Sequence, residues 1–138
     1  MAYAMGGEKS RIRSAAPGEA FSAGELIALA SDGLLYKANA AAGASQQIPA
    51  CGLAEIAATA TMVTNGTKVC YVGDCDYVTG ATGLTPGATV WAGATDGIVT
   101  TTRPSAHSTM AQAVGQAITA TTWILDIDDS YEQIGVTS

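Results

Sequence analysis

The sequence predicts an all-β protein, a small barrel or sandwich built from two related β-hairpin units. Three observations carry that expectation: a duplicated turn-strand-turn pattern, a supply of small and β-branched residues, and the lack of any long stretch of helical periodicity. The chain has 138 residues, and folding one domain of this size buries roughly two-thirds of the surface that the unfolded chain exposes. A core without disulfides or metals is therefore within reach. Of the residues, 48% are hydrophobic, yet only one is Phe (Phe21). Ala, Gly, Thr and Val suit a thin space such as a narrow barrel interior.

The first element is residues 1–16, which lie outside the repeat. Met5-Gly-Gly7 loosens this segment and Pro17-Gly18 marks the entrance to the body. We read it as an extended N-terminal arm. The run Ser10-Arg-Ile-Arg13 suits a strand added to a neighbour's sheet edge. Lys9, Arg11, Ile12 and Arg13 are the candidate contact residues, and removal of the arm is expected to leave a folded core. Residues 17–138 form a single β domain, with the repeat over about 17–79 and 80–128 and a short acidic tail.

The repeat rests on three landmarks. The turn dipeptides Ala23-Gly24 and Pro86-Gly87 place their glycines 63 positions apart (87 − 24), and Gly52 and Gly115 are 63 apart again (115 − 52). Asp32-Gly33 and Asp96-Gly97 are offset by 64 (97 − 33). Glycine supplies the positive φ that such turns require. Between the landmarks, 26–29 and 89–91 read as outgoing strands, with 34–37 and 98–102 returning. Asn65-Gly66, between β-branched runs at 60–64 and 67–72, predicts a third hairpin. Residues 53–60 and a segment capped by Ser105 and running to 113 are candidates for at most one short helix. The last core strand is Trp123-Ile-Leu-Asp-Ile127, with Trp123, Leu125 and Ile127 on one face and Asp126 and Asp128 on the other.

Charge narrows the function. With 12 acidic and 6 basic residues the net charge is −6, which disfavours nucleic acid as a partner. The basic group Lys9, Arg11 and Arg13 at one end and Asp126, Asp128, Asp129 and Glu132 at the other suit contacts between copies. No run of about 18 apolar residues marks a membrane span, and the start does not read as a signal peptide. In a cytoplasm Cys51, Cys70 and Cys75 are expected to be thiols.

A search for chemistry predicts no enzyme, no cofactor and no metal. His107 stands in a polar loop-like stretch without a nucleophile motif. Three cysteines and one histidine without Cys-x-x-Cys make a poor zinc set. Asp74 with Asp76, and Asp126, Asp128 and Asp129, lack EF-hand spacing. They read as solvated strand ends, with a small hydrolase using Asp74 and Asp76 or Asp126 and Asp128 as a distant rival. Asn65-Gly-Thr67 matches a glycosylation sequon, which the turn explains by itself.

The turn set Ala23-Gly24, strand 26–29, Asp32-Gly33 and Cys51-Gly-Leu-Ala54 recurs as Pro86-Gly87, Val90-Trp91, Asp96-Gly97 and Val114-Gly-Gln-Ala117. In this it resembles bacteriophage capsid decoration (cement) proteins over about residues 17–128. Cys51 departs from the family's aliphatic preference, and nothing after Asp129 matches. The resemblance implies a virion protein on the outer surface of an icosahedral capsid, commonly a homotrimer, with the major capsid protein as partner. It would stabilise the shell by bridging neighbouring subunits. The alternative is a carbohydrate- or receptor-binding β-domain using Tyr36, Tyr71, Tyr77, Trp91 and Trp123 as a stacking platform.

Overall fold

A computed structural model describes residues 4–40, 49–93, 97–103, 110–128 and 132–133. The elements in chain order are β1 (Ala4–Ala15), β2 (Leu26–Leu29), β3 (Leu35–Lys37), β4 (Ala50–Ala54), α1 (Ala60–Asn65) and β5 (Val69–Thr79). Then follow β6 (Thr89–Ala92), β7 (Val99–Thr100), β8 (Met110–Ala111), β9 (Ala113–Ala117), β10 (Thr122–Asp126) and β11 (Glu132–Gln133). The fold is all-β: one curled antiparallel sheet in the order β3-β2-β4-β5-β10-β9-β6-β7. β1 lies on the remaining edge of β5, and β8 pairs β11 separately.

The duplication is written into the hydrogen-bond register. β2 meets β4 through Leu26–Leu53, Ile27–Gly52 and Ala28–Ala50. β6 meets β9 through Thr89–Gln116, Val90–Gly115 and Trp91–Ala113, every residue displaced by 63 (as in 90 − 27 and 115 − 52). Each ladder carries its irregularity at the same step, passing over Cys51 in one and Val114 in the other. The turns repeat too. Gly24 N–H donates to Ala54 O and Gly87 N–H to Ala117 O, each at 2.9 Å. Both glycines have positive φ, +88° and +81°.

Gly52 and Gly115 are fixed by packing. A Cβ on Gly52 would stand 2.8 Å from the Tyr71 ring, and one on Gly115 2.9 Å from the Trp123 ring. The bare glycine lets the neighbouring strand's aromatic side chain lie across the ladder. Tyr71 sits opposite Ala54 and Trp123 opposite Ala117, so the two rings hold equivalent places.

Each repeat has an interior. That of the first contains Phe21, Ile27, Ala54 and Tyr71, with Cys51 packed against it. The corresponding Leu84, Val90, Ala117, Trp123 and Val114 line the second, within a larger cluster. This larger cluster also takes in the back of the first repeat, namely Leu26, Ala28, Leu53 and Val72. Their counterparts Thr89, Gln116 and Ile124 are exposed and Trp91 is half-buried. The second repeat therefore covers the first repeat's back, while its own faces outward.

Gln112 joins the repeats. Its side chain is fully buried; Nε2 donates to Ala50 O at 2.9 Å and to Asp128 O at 2.8 Å, and Oε1 accepts from Ala50 N–H at 2.6 Å. Backbone bonds from Leu26 N–H to Gly97 O and from Ala40 N–H to Gly93 O add to the seam.

Several expectations change. Asn65-Gly66 is no hairpin turn. Residues 60–65 are helical, Thr59 Oγ1 accepts from Met62 N–H at 3.2 Å as the N-cap, and Gly66 at φ +68° ends the helix. A dipeptide tolerant of positive φ stops a helix as readily as it turns a hairpin. The helix expected over 53–60 is instead the end of β4 followed by an irregular stretch. At the other candidate helix, Ser105 lies outside the described residues and 110–111 and 113–117 are strands. Asp32 Oδ1 accepts from Leu34 N–H within the β2–β3 turn, as expected, and Gly33 has φ +81°. Gly97 has φ +74°, while Asp96 lies outside the described residues.

Candidate interaction surface

Residues 4–15 are extended, as expected of the arm, but they pair with the chain's own β5 along its whole length. The chain then crosses to β3, where Leu35 N–H donates to Ala16 O at 2.9 Å and Gly18 N–H to Leu35 O at 2.8 Å. β1, β5, β4, β2, β3 and residues 16–18 thus form a closed hydrogen-bonded circuit around the first interior. The arm is structural.

The candidate contact residues divide into two pairs. Lys9 Nζ lies 3.1 Å from Glu55 Oε2. Arg11 adopts φ +54°, alone among the described non-glycine residues, and folds over Gly73. Its Nε lies 3.0 Å from Asp74 Oδ2 and its Nη2 donates to Ile127 O at 2.8 Å. Gly73 sits where the far edge of β5 passes from β4 to β10, between Val72 and Asp74. A side chain there would meet Arg11 Cβ at 2.9 Å, so the bare glycine is what admits the arginine. Arg11 clamps the junction of the repeats. Ile12, 56% exposed, and Arg13 remain on display.

The neighbouring carboxylates share this clamp. Burial pushes Asp74 upward, but hydrogen bonds from Ser10 and Arg11 outweigh it and hold the group below its ordinary value. Asp126 moves the opposite way, raised first by its hydrogen bond with Asp74 and then by burial. Two interacting carboxyls at one site split in this manner, one lowered and the other raised. Among the described residues no three His, Cys, Asp or Glu side chains come together as a metal site. His107 and Asp129 lie outside the described residues.

Cys70 and Cys75 both sit on β5, with Cys70 exposed and Cys75 buried. Burial pushes the Cys51 thiol up to about 11 and raises Cys75 as well, which makes both poor nucleophiles at neutral pH. The five aromatics do not make one platform. Trp123 and Tyr71 are core, Tyr36 donates to Asp32 Oδ2 at 2.6 Å, and Trp91 lies under Arg103 at 5.4 Å. Tyr77 is exposed. No helix among the described residues is long and apolar enough to cross a membrane.

Sequence reasoning missed Gln112 and the inward role of Arg11. The first had a signal, a lone amide between Ala111 and Ala113. Comparison with known proteins found no matching family model, no matching curated protein and no matching solved structure.

Proposed function

We propose that this protein is a structural virion component that binds the outside of an icosahedral phage capsid, as a homotrimer, and stabilises it by bridging major capsid subunits. One observation supports this reading beyond the resemblance in sequence. β1 is a 12-residue strand at the rim of the sheet, paired among the described residues with β5 alone, and it displays Ile12 and Arg13. An edge of this length offers a row of backbone donors and acceptors to a partner strand. Its work would be adhesion, with no chemical step. The contact residues narrow to Ile12 and Arg13, because Lys9 and Arg11 are engaged within the chain.

The test is sedimentation of the full chain with empty shells of the phage that encodes it. Wild-type protein should pellet with the shells, and Ile12→Asp with Arg13→Glu should stay in the supernatant while keeping its native circular dichroism. Wild-type protein that stays in the supernatant would reject the reading. The glycan-binding alternative has less support, since two of its five aromatics are buried; retention on a glycan array would revive it.

A further inference from the structure

The repeats differ at one seam. In the first, Leu35 faces Leu29 across the β2–β3 ladder, and its own N–H and C=O point away from β2. Residues 16–18 meet those two groups, through Ala16 O and Gly18 N–H, and shut the circuit. In the second, Val99 holds the equivalent place, facing Ala92 across the β6–β7 ladder. The segment corresponding to 16–18 is 79–81 (16 + 63 and 18 + 63), and it turns elsewhere: Ala81 N–H donates to Thr121 O at 3.2 Å. Among the described residues nothing bonds the outward N–H and C=O of Val99.

The gap is a cleft of about 230 Å³. Gly80, Ala81, Ile98 and Val99 line it, together with Val78, Trp123 and, from the first repeat, Glu25. Ile98 is 51% exposed at the rim, whereas Trp123 is buried. The cleft thus joins a strand edge, left unpaired among the described residues, to the apolar interior of the second repeat.

We propose that this seam accepts an extended peptide strand with small apolar side chains, supplied by a partner protein and lying parallel to β7. The filled seam of the first repeat indicates the occupant. There a parallel bridge of Pro17 on Leu35, within the stretch Ala16-Pro17-Gly18, closes the same position. The incoming strand accepts from Val99 N–H and donates to Val99 C=O, as Ala16 and Gly18 do for Leu35, and sets its small side chains towards Trp123. Main-chain pairing gives the affinity, and the small, mainly apolar cleft excludes bulky residues. This surface is distinct from the β1 edge, and a peptide tests it without any capsid.

The probe is a synthetic peptide with the sequence of residues 14–19, Ser-Ala-Ala-Pro-Gly-Glu, added to the intact protein. Backbone NMR should show saturable shifts at Val99, Thr100 and Ala81, and the Val99 amide should exchange about ten-fold more slowly when the peptide is bound. Ile98→Asp, a rim change that leaves the core intact, should weaken binding about ten-fold at an unchanged melting temperature. A reversed-sequence peptide binding equally well would overturn the proposal. So would shifts confined to β1, or a Val99 amide that is already protected in the free protein because the seam shuts on itself.

Discussion

The two repeats share a register to the residue and differ in closure. β2 and β4 pair as β6 and β9 do, with the same bulge and the same glycine beneath an aromatic ring. The first repeat is shut by residues 16–18 and has its back covered by the second. The second is open beside Val99 among the described residues and shows the Thr89 and Gln116 side of its back to solvent, with Trp91 half-buried under Arg103. Ladder geometry is therefore set by turns and glycines, which duplication copies. Closure is set by where one short connecting segment goes, and few residues decide it. Repeats of one unit stack because a single copy cannot bury both of its faces.

Removing β1 should separate the fates of the two repeats most severely. Without residues 1–15 the first circuit loses a strand, and Arg11 no longer holds Gly73, Asp74 and Ile127. The first repeat should fail to fold, a loss of about 5 kcal/mol or more, the scale of a whole domain's stability. Amide exchange would show β2, β3 and β4 unprotected. If they stay protected, β1 is an accessory after all.

The next test sets the equivalent aromatics against each other. Trp123→Ala empties the cluster that both repeats share and should cost about 4 kcal/mol in urea denaturation. Tyr71→Ala empties the smaller interior of the first repeat and should cost about 2–3 kcal/mol, with the amides of β6 and β9 keeping most of their protection. Equal costs, with uniform loss of protection, would mean that the two interiors act as one. Gln112→Leu ranks below. It keeps the volume but leaves Ala50 N–H and two carbonyls without their buried partner, for about 2 kcal/mol.

How far the sequence foretold these differences depends on whether a residue's role is local. Gly24, Gly87, Gly52 and Gly115 were legible because a turn or a crossing ring demands glycine at a fixed spacing, and the spacing is duplicated. The final strand was legible from alternation at Trp123, Leu125 and Ile127, all buried. Asn65-Gly66 misled because positive φ serves two kinds of chain reversal, and the Thr59 cap that decides between them lies seven residues before Gly66 (66 − 59). The contact set was half legible. Exposure left Ile12 and Arg13 outside, but Arg11 turns inward through a backbone angle that no local pattern announces. The arm's true partner lies some 60 residues along the chain, as Ile12 opposite Val72 shows (72 − 12), and pairing at that distance leaves no mark on the arm itself.

The smallest effect tests the electrostatics of the junction. Asp126 has a raised pKa in the folded chain, so its charged form is disfavoured by folding, and its contribution to stability falls as pH rises through that value. Asp74 has a lowered pKa, so what it adds is present above the ordinary carboxyl value and disappears as pH drops through the folded one. Asp126→Asn keeps a hydrogen-bonding partner for Asp74 and removes the like charge. The variant should be slightly more stable than wild type at pH 7, and the gain should fade as pH drops below the ordinary carboxyl value of about 3.9, where residue 126 in wild type becomes protonated in both the folded and the unfolded chain. The gain stays under about 0.5 kcal/mol, because the Asp126 side chain is 73% exposed and water screens it. Asp74→Asn should go the other way, since it takes the nearer anion from Arg11, leaving Asp126 at 3.6 Å and the clamp's carbonyl bonds to Gly73 and Ile127 in place. If both variants lose stability equally at pH 7, the two carboxylates do not oppose one another, and Arg11 holds them as separate ion pairs.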